Sequence, residues 1–174
     1  MKQVIQASGV LPYEPYGFTN GVRFKDVLYL SGISALDLRG RVMGDDIETQ
    51  TAYTYRNIER VLRAGGSGLD QILQMTSFVV DLAKNGAGYV AARKTILTQP
   101  TYTSATIGIA ALMVPGLLLE VQCTRRQRRS AGSDKADTCH AGPRAPVLSE
   151  AEGSRPASSS LLGARHCTRS SLRA

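Results

Sequence analysis

Residues 100–124, PTYTSATIGIAALMVPGLLLEVQCT, decide how the rest of the chain is read. The alternation of β-branched and apolar residues predicts two short strands, 103–109 and 117–123, joined by a turn at Pro115-Gly116. Glu120 stands alone between Leu117, Leu118, Leu119 and Val121. Burying that carboxylate unpaired would cost several kcal/mol, so it belongs near a strand edge or in a pocket.

Working back, residues 72–80, ILQMTSFVV, have the β-branched and aromatic content of a third strand. Residues 22–24 and 27–31 read as a hairpin turning at Lys25-Asp26, after a Pro-, Gly- and aromatic-rich lead-in over 11–20. Ser31-Gly32 ends its second strand, where a glycine lets the backbone pass close to another group. A helix is predicted over about 46–64. Asp45 or Asp46 caps it, Gly65-Gly66 stops it, and Ile47, Thr51, Tyr55, Ile58 and Leu62 form its inner stripe. Asn57, beside that stripe, reads as a polar residue bonded to a nearby loop. Asn85-Gly86 reads as a turn or helix start, so a second helix is placed over about 87–97, ended by Gln99-Pro100. The order is β-β-α-β-α-β-β, an α+β layer with helices on one face of a sheet. Ile107, Ile109, Leu117, Leu119 and Val121 are expected to leave the other face apolar, which calls for self-association.

Composition divides the chain at Thr124. Up to there, 11 Lys or Arg face 10 Asp or Glu; residues 125–174 carry 10 against 4, so most of the net charge of +7 lies in the tail. The tail, basic and rich in Ser, Arg and Ala, has no Ile, Phe, Tyr, Met or Trp and is expected to be disordered. The abrupt change after a complete last strand points to an extension foreign to the fold. The run 125–129, RRQRR, reads as solvated charge before RNA or lipid contact, and the Cys139-His140 and His166-Cys167 pairs are not expected to hold a metal. Both histidines lie in the tail, which leaves the body without a Ser-His-Asp triad, a Cys-His pair or a His-ligated metal. With no CxxC, no export signal and no membrane-length apolar run, a soluble, cytoplasmic protein is expected.

The segments YGFTNGV (16–22), LYLSG (28–32), QTAYTYRNIERVLRAGGSGLDQI (50–72), FVVDL (78–82), PTYTSATIGIAAL and PGLLLEVQC, in this order and spacing, resemble the RidA/YjgF family, whose members also carry the name L-PSP endoribonucleases. The resemblance covers about residues 11–124. It implies a chorismate-mutase-like α+β fold, a homotrimer with small-molecule pockets between subunits, and hydrolysis of enamines and imines (2-iminobutanoate/2-iminopropanoate deaminase type) without metal or cofactor. Under it, Glu120 is the catalytic acid/base or water-orienting residue, and Ser31 supplies hydrogen bonds in catalysis. Gly32, Phe18, Tyr102 and the backbone at Ala105 and Thr106 bind substrate. The resemblance also marks departures. Tyr102 stands where the family has its carboxylate-binding Arg, Phe18 where it has a pocket Tyr, and Tyr89 where a helix Asn is frequent. Altered substrate choice follows, with a non-catalytic trimer that binds a small apolar or aromatic molecule as the alternative. RNA binding or cleavage ranks last, because the body's charge is nearly balanced with no basic, aromatic face in the sequence.

Overall fold

The computed structural model of the chain describes residues 1–126. The expectations of a disordered, foreign or metal-free tail cover 125–174, of which 127–174 lie outside the described residues. Arg125, read from the sequence as solvated charge, is instead buried and donates to the Gly65 carbonyl at 2.7 Å.

Seven strands form one sheet: β1 (Lys2–Ile5), β2 (Gly21–Phe24), β3 (Val27–Leu30), β4 (Ile33–Ser34), β5 (Ile72–Val80), β6 (Thr103–Ile109) and β7 (Leu119–Arg126). Their order across the sheet is β1-β2-β3-β7-β5-β6, with β4 pairing β7 beyond the end of β3. Only β5 and β6 run parallel; the remaining pairs are antiparallel. The expected order is present, with β1 and the two-residue β4 added to it. β7 continues to Arg126, two residues past the compositional boundary, because Arg125 and Arg126 pair with Leu28 and Val27.

Helix α1 (Ile47–Ala64) begins where Asp46 accepts a hydrogen bond from the Thr49 amide at 2.7 Å, satisfying one of the free N–H groups of the first turn. It ends at Gly65, and Gly66 adopts the left-handed φ of +70° that glycine tolerates. The expected stripe of Ile47, Thr51, Tyr55, Ile58 and Leu62 is buried against the sheet. Helix α2 (Leu82–Ile96) starts five residues earlier than its sequence suggests. Asp81, at φ 48°, caps it through the Lys84 amide, and Asn85 donates to the Val80 carbonyl at 2.7 Å. Those bonds hold Asn85-Gly86 inside a helix that their turn propensity opposes.

The strand period of two corrects one expectation about the faces. Leu119, Val121 and Leu117 are not on the open face; they are core residues, at 0–5% exposure. Glu120 has the opposite parity. It pairs across with Phe78, which pairs with Ile107, so this row lies on the face away from the helices. That face also carries Val4, Phe24 and Tyr29, exposed apolar residues brought there by the register of β1, β2 and β3. An apolar open face is therefore present, but with a different membership.

Buried polar groups tie the loops to α1. The Gln50 amide donates to the carbonyls of Gly44 and Gly116 and accepts from the Leu118 amide, all at 2.8–2.9 Å. This fixes the chain just ahead of Glu120. Asn57 donates to the carbonyls of Ser34 and Leu36, both at 3.0 Å, bonding the loop as its sequence position suggested. Asn57→Ala leaves two buried carbonyls without these donors and is expected to cost about 2–4 kcal/mol in urea unfolding.

Candidate functional site

β4 lies antiparallel to β7 with Ser34 opposite Glu120, and the chain ahead of it, at Gly32, runs past the Glu120 side chain. A Cβ on Gly32 would sit 2.2 Å from Glu120 Oε1 and 2.5 Å from its Cδ, so only glycine allows this approach. The close passage expected of Gly32 is present, and its counterpart is Glu120.

The Glu120 carboxyl accepts from Ser34 Oγ at 3.3 Å. It lies at the base of a pocket of about 60 Å³ walled by Leu11, Tyr13, Phe18, Leu36, Met113 and Leu117. Tyr13 and Phe18 pack at 4.7 Å between ring centroids, and Tyr16 meets Phe18 at 6.4 Å. Gly17, at φ 86°, makes the tight turn that brings Tyr16 and Phe18 to the same side. Tyr13 donates its hydroxyl to the Gly32 carbonyl at 3.0 Å. Burial, then the charge of Glu120 and of Tyr16, pushes the Tyr13 hydroxyl up to about 12, so it stays a proton-bearing donor. Burial likewise holds the Glu120 carboxyl above its ordinary value of 4.5, against a smaller lowering by the Ser34 hydroxyl.

Folding therefore favours the protonated Glu120. The stability this contributes is full below 4.5 and is lost as pH rises through the raised value. Glu120→Gln is expected to match the parent near pH 4 and to exceed it at pH 8, which chemical denaturation at the two pH values checks.

Of the residues expected at the site, Glu120, Gly32 and Phe18 come together here. Ser31 does not line this pocket: its hydroxyl donates to the Thr19 carbonyl at 2.6 Å. The hydroxyl that reaches the Glu120 carboxyl belongs to Ser34, three residues on. Ala105 and Thr106 lie on β6, the outer strand, two strands from Glu120 and exposed. Tyr102, just before β6, is packed against the core, close enough to Tyr55 and Arg93 to interact electrostatically. In that cluster Tyr89 bonds Ser77 and, at 3.2 Å, Tyr55, while Arg93 stacks over Tyr89 at 5.2 Å and donates to Ser104. Ser34, Tyr13, Tyr16 and Met113 escaped the sequence reading. The Ser34–Glu120 pairing depends on β4, too short to signal itself, and the tyrosines stand in a Pro-rich loop.

A family model described as Endoribonuclease L-PSP matches residues 7–126. The chain belongs to this family, the RidA/YjgF proteins. Among its relatives, RutC family protein SSO3206 of Saccharolobus solfataricus is 34% identical over 84 residues, which is 47% of this chain and 65% of that protein. The chain covers less than two thirds of the length of the curated relatives it matches. Solved structures cover the fold more fully. YyfA of Yersinia pestis, from the conserved Rid protein family, is 25% identical with a TM-score of 0.65, covering 72% of this chain and 99% of that one. Yeast Mmf1 reaches a TM-score of 0.69 at 16% identity, covering 74% of this chain and all of its own, and so attests the fold. No helix among the described residues is long and apolar enough to cross a membrane.

One feature of this RidA/YjgF chain departs from its sequence reading. The body's basic residues looked dispersed, yet Arg39, Arg41, Arg56 and Arg60 line a single groove on the far side of Leu36 from Glu120.

Proposed function

We propose that the chain hydrolyses reactive enamines or imines with Glu120 as the acid. The observation that carries this reading is a carboxyl with a raised pKa, held by one weak hydrogen bond at the base of an apolar, aromatic pocket. Such a group keeps its proton, and can deliver it, to a higher pH than an ordinary carboxyl. Protonating the enamine β-carbon gives an iminium, and the resulting carboxylate takes a proton from water as that water attacks the electrophilic carbon. The carbinolamine then expels ammonia and leaves the carbonyl product. No metal or cofactor enters these steps.

The assembly proposed with this chemistry is a homotrimer. The pocket of one protomer, about 60 Å³, admits little more than the reacting end of a substrate. The exposed β6 and the apolar open face supply surface for a second copy to close it. Tyr102, Ala105 and Thr106 would then act on a neighbouring copy's pocket. Ammonia release from an enamine generated in situ tests the activity; light scattering tests the trimer, and a monomer at micromolar concentration would refute it.

A second reading, a trimer that binds a small apolar molecule without turnover, is favoured by the absence of any Lys or Arg from the Glu120 pocket lining. Under it, an apolar amine protects the protein against thermal unfolding while no enamine is consumed. Tyr102→Arg separates the two: a gain of hydrolysis points to an intact catalytic scaffold with changed recognition.

A further inference from the structure

The hairpin-like loop that follows β4 turns at Gly40, and Asp37 organises it. Asp37 accepts from the amides of Arg39 and Arg41, at 2.9 and 2.8 Å, and pairs with the Arg41 guanidinium at 2.7 Å. This loop faces α1, whose residues Arg56 and Arg60 lie one turn apart on the same helix face. Together they wall an open groove of about 480 Å³ that contains four guanidiniums and one carboxylate. The carboxylate is committed to the loop.

Three of the four arginines have a partner that orients them. Arg60 is half-buried, and its Nη1 donates to the Gly9 carbonyl at 2.8 Å and to Asn57 Oδ1 at 3.3 Å. Gly9 has a φ of 78°, and a Cβ added there would meet the Arg60 guanidinium carbon at 3.5 Å. Arg56 lies over the Tyr53 ring at 4.2 Å. Arg41 is pinned by Asp37, and Arg39 projects from the loop tip. Outside the groove the described residues balance, with nine Lys or Arg against nine Asp or Glu. The whole excess charge of the described body, +3, is therefore the excess of this groove.

We propose that the groove between the 37–43 loop and α1 is a binding site for a small molecule bearing a diphosphate, gripped by Arg39, Arg41, Arg56 and Arg60. Guanidinium forks match phosphate oxygens two at a time. Each phosphoryl carries up to about −2 near neutral pH, so a diphosphate meets the +3 of the groove where a single carboxylate leaves most of it unanswered. Leu36, Leu38 and Met43, on the same walls, give the rest of such a molecule an apolar seat; Leu38 is 58% exposed without one. A single-stranded RNA fits less well. The groove lining has no aromatic ring for a base to stack on. The site does not use Glu120, and the proposal stands whether or not the enamine chemistry does.

Titration calorimetry on the full chain, with inorganic pyrophosphate and with ADP as probes, tests it. Both are expected to bind, and the double variant Arg39→Gln/Arg56→Gln, which alters two exposed side chains, weakens each by about tenfold or more. The control Lys84→Gln/Lys94→Gln, equal in charge but on α2, leaves both within about twofold, as does Glu120→Gln. Equal weakening in the α2 control would assign the binding to net charge and overturn the site. So would failure of both probes to bind below about 1 mM, or an RNA oligomer binding through Arg39 and Arg56 while neither probe does.

Discussion

Glu120→Gln is expected to lower ammonia release from an enamine substrate by about 10²-fold or more, the usual weight of a positioned acid. The substitution keeps the shape and leaves an oxygen able to accept from Ser34 Oγ, so the pocket stays filled and the β4–β7 contact survives. What it removes is the proton that burial keeps on the carboxyl at higher pH than usual. The loss should therefore fall on kcat, with KM nearly unchanged, because the pocket walls that hold the substrate are untouched. Ser34→Ala is the companion measurement. It removes the hydroxyl that stabilises the carboxylate, so it should move the alkaline limb of the pH–rate profile, where Glu120 loses its proton, to higher pH while costing far less rate. Full activity in Glu120→Gln would leave the pocket as a binding site alone.

How much of this was legible in the sequence follows from how local each signal is. Strand β5 and strand β6 have the bounds their apolar alternation predicts, and α1 starts at the Asp46 cap and ends at Gly65. Those features are written in neighbouring residues. The start of α2 is not, because Asn85-Gly86 favours a turn and is overruled by bonds to Val80 and by the Asp81 cap. The face assignment of Leu119 and Val121 was readable from Glu120 alone: a half-exposed acid between two apolar residues in a strand places them opposite to it. At the site, Glu120 and Gly32 stood out as an acid without a partner and a glycine at a strand end. Ser34 could not, since a two-residue strand has no period, and its place beside Glu120 is a long-range pairing across 86 positions. The arginine groove was hidden for the same reason. Its four residues come from a loop and a helix, and only the fold brings them together.

Gly32→Ala is expected to remove most of the same activity while leaving the fold in place. The new methyl would arrive 2.2 Å from Glu120 Oε1 and 3.0 Å from Cγ, too close for either. Gly32 is not among the residues with a positive φ, so the backbone accepts alanine without strain. The side chain gives way instead, since the clash is with the far end of a flexible glutamate. Swinging the carboxyl aside breaks its contact with Ser34 Oγ and takes it off the pocket base, at about 0.5–1.5 kcal/mol of rotamer cost. The Tyr13 bond to the Gly32 carbonyl is on the backbone and survives. Hydrolysis should then fall close to the level of Glu120→Gln, while the urea midpoint moves little. Combining the two substitutions should cost no more than either alone, because both remove one correctly placed proton. Additive losses would mean that Gly32 serves the reaction by some route other than the position of Glu120.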